Sequence, residues 1–94
     1  MATQDLKYTN GGTLAYSFEV TTAMDTDGEV VVNFDTGYPV VAIVQIQDAS
    51  GVNVDLADAV ITYPAEGQVS IADGAVTFAL TATDIVNIVA FRKR

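Results

Sequence analysis

Apolar and polar residues alternate with a period of two along most of this chain, and the longest unbroken apolar run begins the segment Val40–Gln47. Its first five residues are all apolar, so both faces of a strand would be apolar there. Its second half alternates and keeps one apolar face. A strand that is apolar on both faces is typical of the interior of a sheet. The pattern therefore predicts a central strand at this position, with shorter strands around it.

Several other segments have the same period and predict further strands. In 13–20, apolar side chains share one face and small or polar ones the other, and in 29–34 the valines and Phe34 share a face. A short strand is predicted from Val60 to Tyr63 and ends before Pro64. The last strand, 85–91, is nearly apolar on both faces, with Val86, Ile88 and Ala90 on one of them.

The strongest hairpin pattern is Gln68–Ala72, then Asp73-Gly74, then Ala75–Leu80. A two-residue Asp-Gly loop favours a type I′ turn, which matches the twist of paired strands. The register that follows places Ile71 opposite Val76 on one face.

Turn signals separate these segments at short intervals, and only 55–58 reads as a helical turn. This arrangement predicts an all-β fold, a small antiparallel β-sandwich of about seven short strands, with an open β-barrel as the alternative. Residues 1–12 are polar and without a period, which predicts a flexible N-terminal arm before a single β-sandwich domain at 13–94. That arm is either a frayed terminus or a segment that orders on a neighbour.

Half of the 94 residues are hydrophobic and the mean hydropathy is +0.33. A chain of this length has a thin core, so part of the apolar surface is expected to be covered by another copy or another protein. The alternative is that much of the excess is Ala and Val, which tolerate exposure. The predicted interface residues are Val41, Ile43, Val86, Ile88, Arg92, Lys93 and Arg94.

The net charge is −8, and its distribution is uneven. No basic residue lies between Tyr8 and Phe91, whereas every carboxylate except Asp5 does. Such a surface repels nucleic acid and anionic membrane, so neither is an expected partner. The N-terminus has no signal-peptide pattern and no apolar run is long enough to span a bilayer, so the chain is expected to be made in the cytoplasm.

The residues that most enzyme chemistries need are missing. The sequence has no Cys and no His, which excludes Ser–His catalysis and thiolate metal sites. No Gly-rich loop precedes a helix, so a phosphate cradle is not predicted. We therefore expect no enzyme activity and no cofactor.

Two candidate sites remain in turns. Oxygen ligands at alternate positions around Gly28 suit a hard cation, which makes Asp25, Asp27 and Glu29 a candidate calcium turn. The alternative is a solvated acidic turn. Tyr38, beside Pro39, is a candidate contact for a ligand or partner.

Two passages resemble known families. Val31–Val40 is similar to the strand, aromatic, turn, proline and strand of H-type lectin-like sandwiches. Ala72–Phe78 and Asp84–Phe91 resemble the closing hairpin and strand of small tailed-phage virion proteins, such as head decoration and fibre-associated proteins. The likeness spans residues 29–91 and is one of pattern, so no functional residue is carried over.

The resemblance implies a structural virion protein, most specifically a phage capsid decoration protein. It would stabilise the shell by binding its surface as an oligomer of identical chains, with a trimer favoured, and its partner would be the major capsid protein or another virion protein. The expected location is the virion. The alternatives are a carbohydrate-binding, lectin-like sandwich and a subunit of the phage tail or baseplate.

Overall fold

The computed structural model describes residues 2–6, 13–34 and 39–92. They contain β1 (Ala2–Leu6), β2 (Thr13–Glu19), α1 (Thr22–Asp27), β3 (Glu29–Phe34), β4 (Val40–Gln47), β5 (Val60–Thr62), β6 (Gln68–Ala72) and β7 (Ile85–Arg92). The predicted all-β class is confirmed, and the sheets do not close into a barrel.

Two sheets form the fold. The first has the order β1-β3-β6-β5, with β1 parallel to β3 and the other pairs antiparallel. The second has the order β2-β7-β4 and is antiparallel throughout. Residues of both sheets join one hydrophobic core, and Val30, Ile71 and Ile88 are among its least exposed members. The fold is therefore a two-layer sandwich.

The period-two pattern gave the inner faces of the strands correctly. Val30, Val32 and Phe34 of β3 are all buried, as are Val86 and Ile88 of β7. On each strand these residues are two apart, so their side chains point to the same side of the sheet.

The prediction that Val40–Gln47 is a central strand is wrong. β4 pairs only with β7 and lies at one edge of its sheet, whereas β7 lies between β2 and β4. The second apolar face of β4 is not covered by this chain, because Val41 and Ile43 are 46% and 66% exposed. The apolar side chains of Val41 and Ile43 thus lie on an exposed face of β4 and not on a buried one.

The predicted turn at 21–28 contains the only helix in the described residues. Thr21 caps α1, since its hydroxyl accepts a hydrogen bond from the Met24 backbone N–H at 3.3 Å. Gly28 ends it with a φ of 70°, a left-handed conformation that favours glycine. No helix in this part of the chain is long and apolar enough to cross a membrane.

The predicted hairpin after β6 does not form. β6 pairs with β3 and β5, and residues 75–80 are not a strand. Instead the Asp58 carboxylate accepts hydrogen bonds from the backbone N–H groups of Val76, Thr77 and Phe78, at 2.8–2.9 Å. A Cβ built at Gly74 would clash with the Asp58 carbonyl and carboxylate oxygens. A distant side chain therefore overrides the local turn signal.

The predicted N-terminal arm contains β1. Residues 2–6 pair in parallel with β3, from Ala2 opposite Val30 to Leu6 opposite Phe34. The polar composition of this segment concealed the strand, because an edge strand needs fewer apolar residues than a central one. Met1 and residues 7–12 lie outside the described residues.

Candidate functional site

The candidate site is the side of the β2-β7-β4 sheet that faces away from the core, which we call the outer face. The register brings Val41 beside Phe91, and Ile43 beside Val89. On the other side of β7, Ala15 pairs with Val89. Alternation along each strand places these five side chains on the same face.

One end of the outer face is an apolar patch, made of Ala15, Val41, Ile43, Val89 and Phe91. Ile43 is 66% exposed, and Val41 and Phe91 are 46% and 39% exposed. None of the five positions carries a charge. A contiguous apolar area of this kind on a small protein marks an interaction surface more often than scattered exposed residues do.

The other end of the outer face is polar. The Ser17 hydroxyl donates a hydrogen bond to the Asn87 amide oxygen at 2.5 Å. The amides of Gln45 and Gln47 both donate to the Asn53 side-chain oxygen at 3.3 Å. The polar side chains thus bond to one another, and the face changes from polar to apolar along the strands.

The structure divides the predicted interface residues into separate groups. Val41 and Ile43 lie in the apolar patch, as the interface prediction requires. Val86 and Ile88 do not, because they are 0% and 1% exposed and pack in the core. The interface prediction is therefore corrected for these two. It assigned the face of β7 with Val86 and Ile88 to contacts, but the face with Val89 and Phe91 points outward.

The basic end of the chain begins where β7 ends. Arg92 is the last residue of β7 and pairs with Val40, while Lys93 and Arg94 lie outside the described residues. The Arg92 backbone thus lies at the same end of the sheet as the apolar patch, beside the first residue of β4.

The free edge of β4 is partly covered by the chain itself. The Tyr63 hydroxyl accepts a hydrogen bond from the Ala42 backbone N–H at 3.1 Å. Further along, the Val54 N–H donates to the Ile46 carbonyl at 2.8 Å. Partial cover of this kind makes an edge strand less accessible to another chain. The sequence placed Tyr63 at the end of a predicted strand and did not indicate this role.

A shallow depression of about 530 Å³ lies beside the start of β4 and is lined by Pro39, Val40, Val41, Tyr63, Ala65 and Glu66. It adjoins the apolar patch through Val41. Tyr38, the predicted ligand or partner contact, lies outside the described residues.

The three residues of the predicted calcium turn have separate roles. The Asp25 carboxylate accepts a hydrogen bond from the Ala82 N–H at 2.9 Å, and the Glu29 carboxylate accepts one from the Ser70 hydroxyl at 2.6 Å. Asp27 lies at the end of α1. Within the described residues no group of three His, Cys, Asp or Glu side chains is placed to hold a metal. Calcium binding stays a prediction that this geometry does not favour.

Asp84 differs from these acidic residues because it is buried. Asp84 is only 7% exposed, and burial raises the pKa of its carboxyl, with further contributions from the negative charges of Asp48 and Asp25. Its backbone carbonyl accepts a hydrogen bond from the Val20 N–H at 2.7 Å. Asp84 therefore joins β2 to the beginning of β7 at the polar end of the sheet.

Comparison of the chain with protein-family models, with curated proteins and with solved structures finds no match. The function of this chain is therefore inferred from its sequence and from the geometry of the outer face.

Proposed function

We propose that this protein is a non-enzymatic structural module that assembles with copies of itself through the outer face, and that it serves as a decoration protein on a phage capsid. The observation that carries the assembly proposal is the uncharged apolar patch. Ile43, the most exposed of its large side chains, has two thirds of its surface exposed. On a folded chain of this size, such a patch marks a surface that another molecule covers.

The exposed fractions give the size of the effect. Burying a large apolar side chain completely stabilises a complex by about 1.5–3 kcal/mol. Scaled by the exposure of Val41, Ile43 and Phe91, the patch contributes roughly 2–5 kcal/mol per copy. Association itself costs about 4–15 kcal/mol in lost freedom of motion. Two patches face to face therefore give weak association, and further contacts or many copies are needed for tight assembly.

Weak contacts between many copies suit a shell protein. A module that binds only the assembled shell stabilises that shell by mass action, even when each contact is weak. The virion assignment is supported by the resemblance of residues 29–91 to small tailed-phage virion proteins. The acidic surface adds to it, because a charge of −8 keeps the chain away from the packaged nucleic acid. The trimer expected from that resemblance stays a prediction.

A matched pair of variants tests the assembly proposal. Val41→Ser removes an exposed valine from the patch, and Val76→Ser removes one that is 88% exposed but lies outside the β2-β7-β4 sheet. Both lose the same atoms, so general solubility changes equally. We expect Val41→Ser to lower the average mass in light scattering at a fixed concentration, and Val76→Ser to leave it unchanged.

An equal effect of the two substitutions would contradict the proposal, because the patch would then have no special role. The virion assignment is tested separately by adding the protein to phage shells that lack their decoration protein and measuring co-sedimentation. A glycan array distinguishes the lectin alternative, since saturable binding to a sugar would favour that function over assembly.

A further inference from the structure

We propose that the free edge of β2 pairs with the β2 edge of a second copy, in antiparallel orientation, to form one continuous six-stranded sheet. This inference deepens the proposed function, on which it rests, by identifying a second contact between copies. The backbone N–H and C=O groups of the β2-β7-β4 sheet show which edge is free.

The direction of these groups follows from two hydrogen bonds. The Ala42 N–H donates to Tyr63 and thus points away from β7, so the N–H groups of the odd-numbered residues of β4 point toward β7. The Val20 N–H, directly after β2, donates to the Asp84 carbonyl. The N–H groups of the even-numbered residues of β2 therefore also point toward β7. Because directions alternate along a strand, the N–H and C=O groups of Ala15 and Ser17 point to the free edge.

The two edges of this sheet are treated differently. At β4 the chain supplies the Tyr63 hydroxyl and the Val54 N–H to the exposed backbone. At β2 no described residue bonds to the outward backbone groups of Ala15 or Ser17. The strand is seven residues long and contains no Pro or Lys, the residues that commonly prevent edge pairing. Exposed unpaired backbone of this length is a template for another strand.

A second copy is the occupant that the edge fits best. Antiparallel pairing of a strand with itself about a two-fold axis is self-complementary, so one surface serves both copies. With the axis at Tyr16, all seven residues of β2 overlap, and Ala15 lies opposite the partner's Ser17. The small side chains at these two positions leave the joined sheet free of steric conflict on its outer face.

Charge placement also favours this register. It places Glu19, the only charged residue of β2, opposite the partner's uncharged Thr13. The two Glu19 carboxylates therefore lie at opposite ends of the paired strands, where they do not repel each other. Since the two-fold axis is perpendicular to the sheet, both apolar patches lie on the same side of the joined sheet, at opposite ends of it.

Amide hydrogen exchange measured by NMR on the unmodified chain tests the edge directly. In a dimer paired through β2, the Ala15 and Ser17 amides become hydrogen-bonded. We expect their exchange to be at least about tenfold slower at high protein concentration than after dilution to monomer. The Tyr16 amide points toward β7 and serves as an internal control, protected at both concentrations.

Two variants complete the test. Ser17→Pro removes an N–H with no partner in the described part of the chain, and we expect it to raise the dissociation constant about tenfold or more. Ser17→Ala loses the hydroxyl bond to Asn87 but keeps the N–H, so it should associate like the unmodified chain.

Each result of the exchange experiment supports or overturns the β2 edge pairing. Rapid exchange of Ala15 and Ser17 in an oligomer would overturn the edge pairing while leaving the proposed function intact. Slow exchange in a verified monomer would also overturn it, because the chain itself would then cover the edge. A chain that remains monomeric at every concentration would contradict both proposals.

Discussion

Two isoleucines on opposite faces of the β2-β7-β4 sheet provide a sensitive test of the fold. Ile88 is 1% exposed and belongs to the core, whereas Ile43 on the neighbouring strand is 66% exposed. The same substitution, Ile→Ala, removes the same atoms at both positions. Its effects on the free energy of unfolding should therefore differ only because of burial.

The expected magnitudes are far apart. Ile88→Ala loses about 2–5 kcal/mol, since the transfer free energy of the lost atoms adds to the cost of the cavity. A chain of this length has a total stability of about 5–14 kcal/mol. Ile43→Ala should change the stability of the monomer by no more than about 0.5 kcal/mol.

The assay is urea unfolding followed by circular dichroism. It should be run at the lowest usable protein concentration, because association through the outer face would add stability to the parent chain. In the same samples at high concentration, Ile43→Ala should weaken association. Similar losses of stability for both substitutions would refute the assignment of the two faces, and so would a larger loss at Ile43.

Three further predictions concern single polar groups. The three backbone N–H groups that bond to Asp58 lower the pKa of its carboxyl, so its stabilisation is present above the ordinary value of 3.8 and is lost as the pH falls through the lowered pKa. In pH-dependent thermal unfolding, Asp58→Ala should be less stable than the parent at pH 7 and approach it in acid. Asp84 has the opposite sign: burial raises the pKa of its carboxyl, so stability falls as the pH rises above 3.8 toward the raised pKa. Asp84→Asn should therefore be more stable than the parent at pH 7 and lose that advantage below pH 3.8; lower stability at pH 7 would contradict this. The buried Tyr16 hydroxyl has no hydrogen-bond partner in the described part of the chain, so Tyr16→Phe should leave stability unchanged or raise it by up to about 1–3 kcal/mol in denaturant unfolding. A clear loss would show that this hydroxyl is bonded.

The sequence predicted the fold class and the inner faces well. Period-two alternation assigned Val30, Val32 and Phe34 to one face, and the structure buries all three. Local periodicity is sufficient for this purpose, because a strand in a sandwich needs only one consistent apolar face.

Strand order and loop structure were harder to predict. Val41 and Ile43 suggested a central position for β4, although they lie on an exposed face of an edge strand. An apolar residue that contacts another molecule cannot be distinguished by sequence from one that is buried in its own chain. The predicted hairpin after β6 failed because Asp58, 18–20 residues away, bonds to the loop backbone at Val76–Phe78.

The sequence identified only part of the candidate site, because the site combines residues from three strands. The residues Val41 and Ile43 were identified from their surplus hydrophobicity. Their association with Ala15, Val89 and Phe91 depends on the strand register, which links residues far apart in sequence. The edge of β2 as an interaction site depends on knowing which strands are its neighbours.

The most direct test of the central claim is the solution mass of the chain, measured by light scattering across a range of concentrations. Self-assembly predicts a mass that rises with concentration above the 9.9 kDa of one chain. Pairing through β2 would lead toward an even number of copies, and the trimer expected from the phage resemblance would lead toward three. A constant mass of 9.9 kDa at every concentration would contradict self-assembly through the outer face.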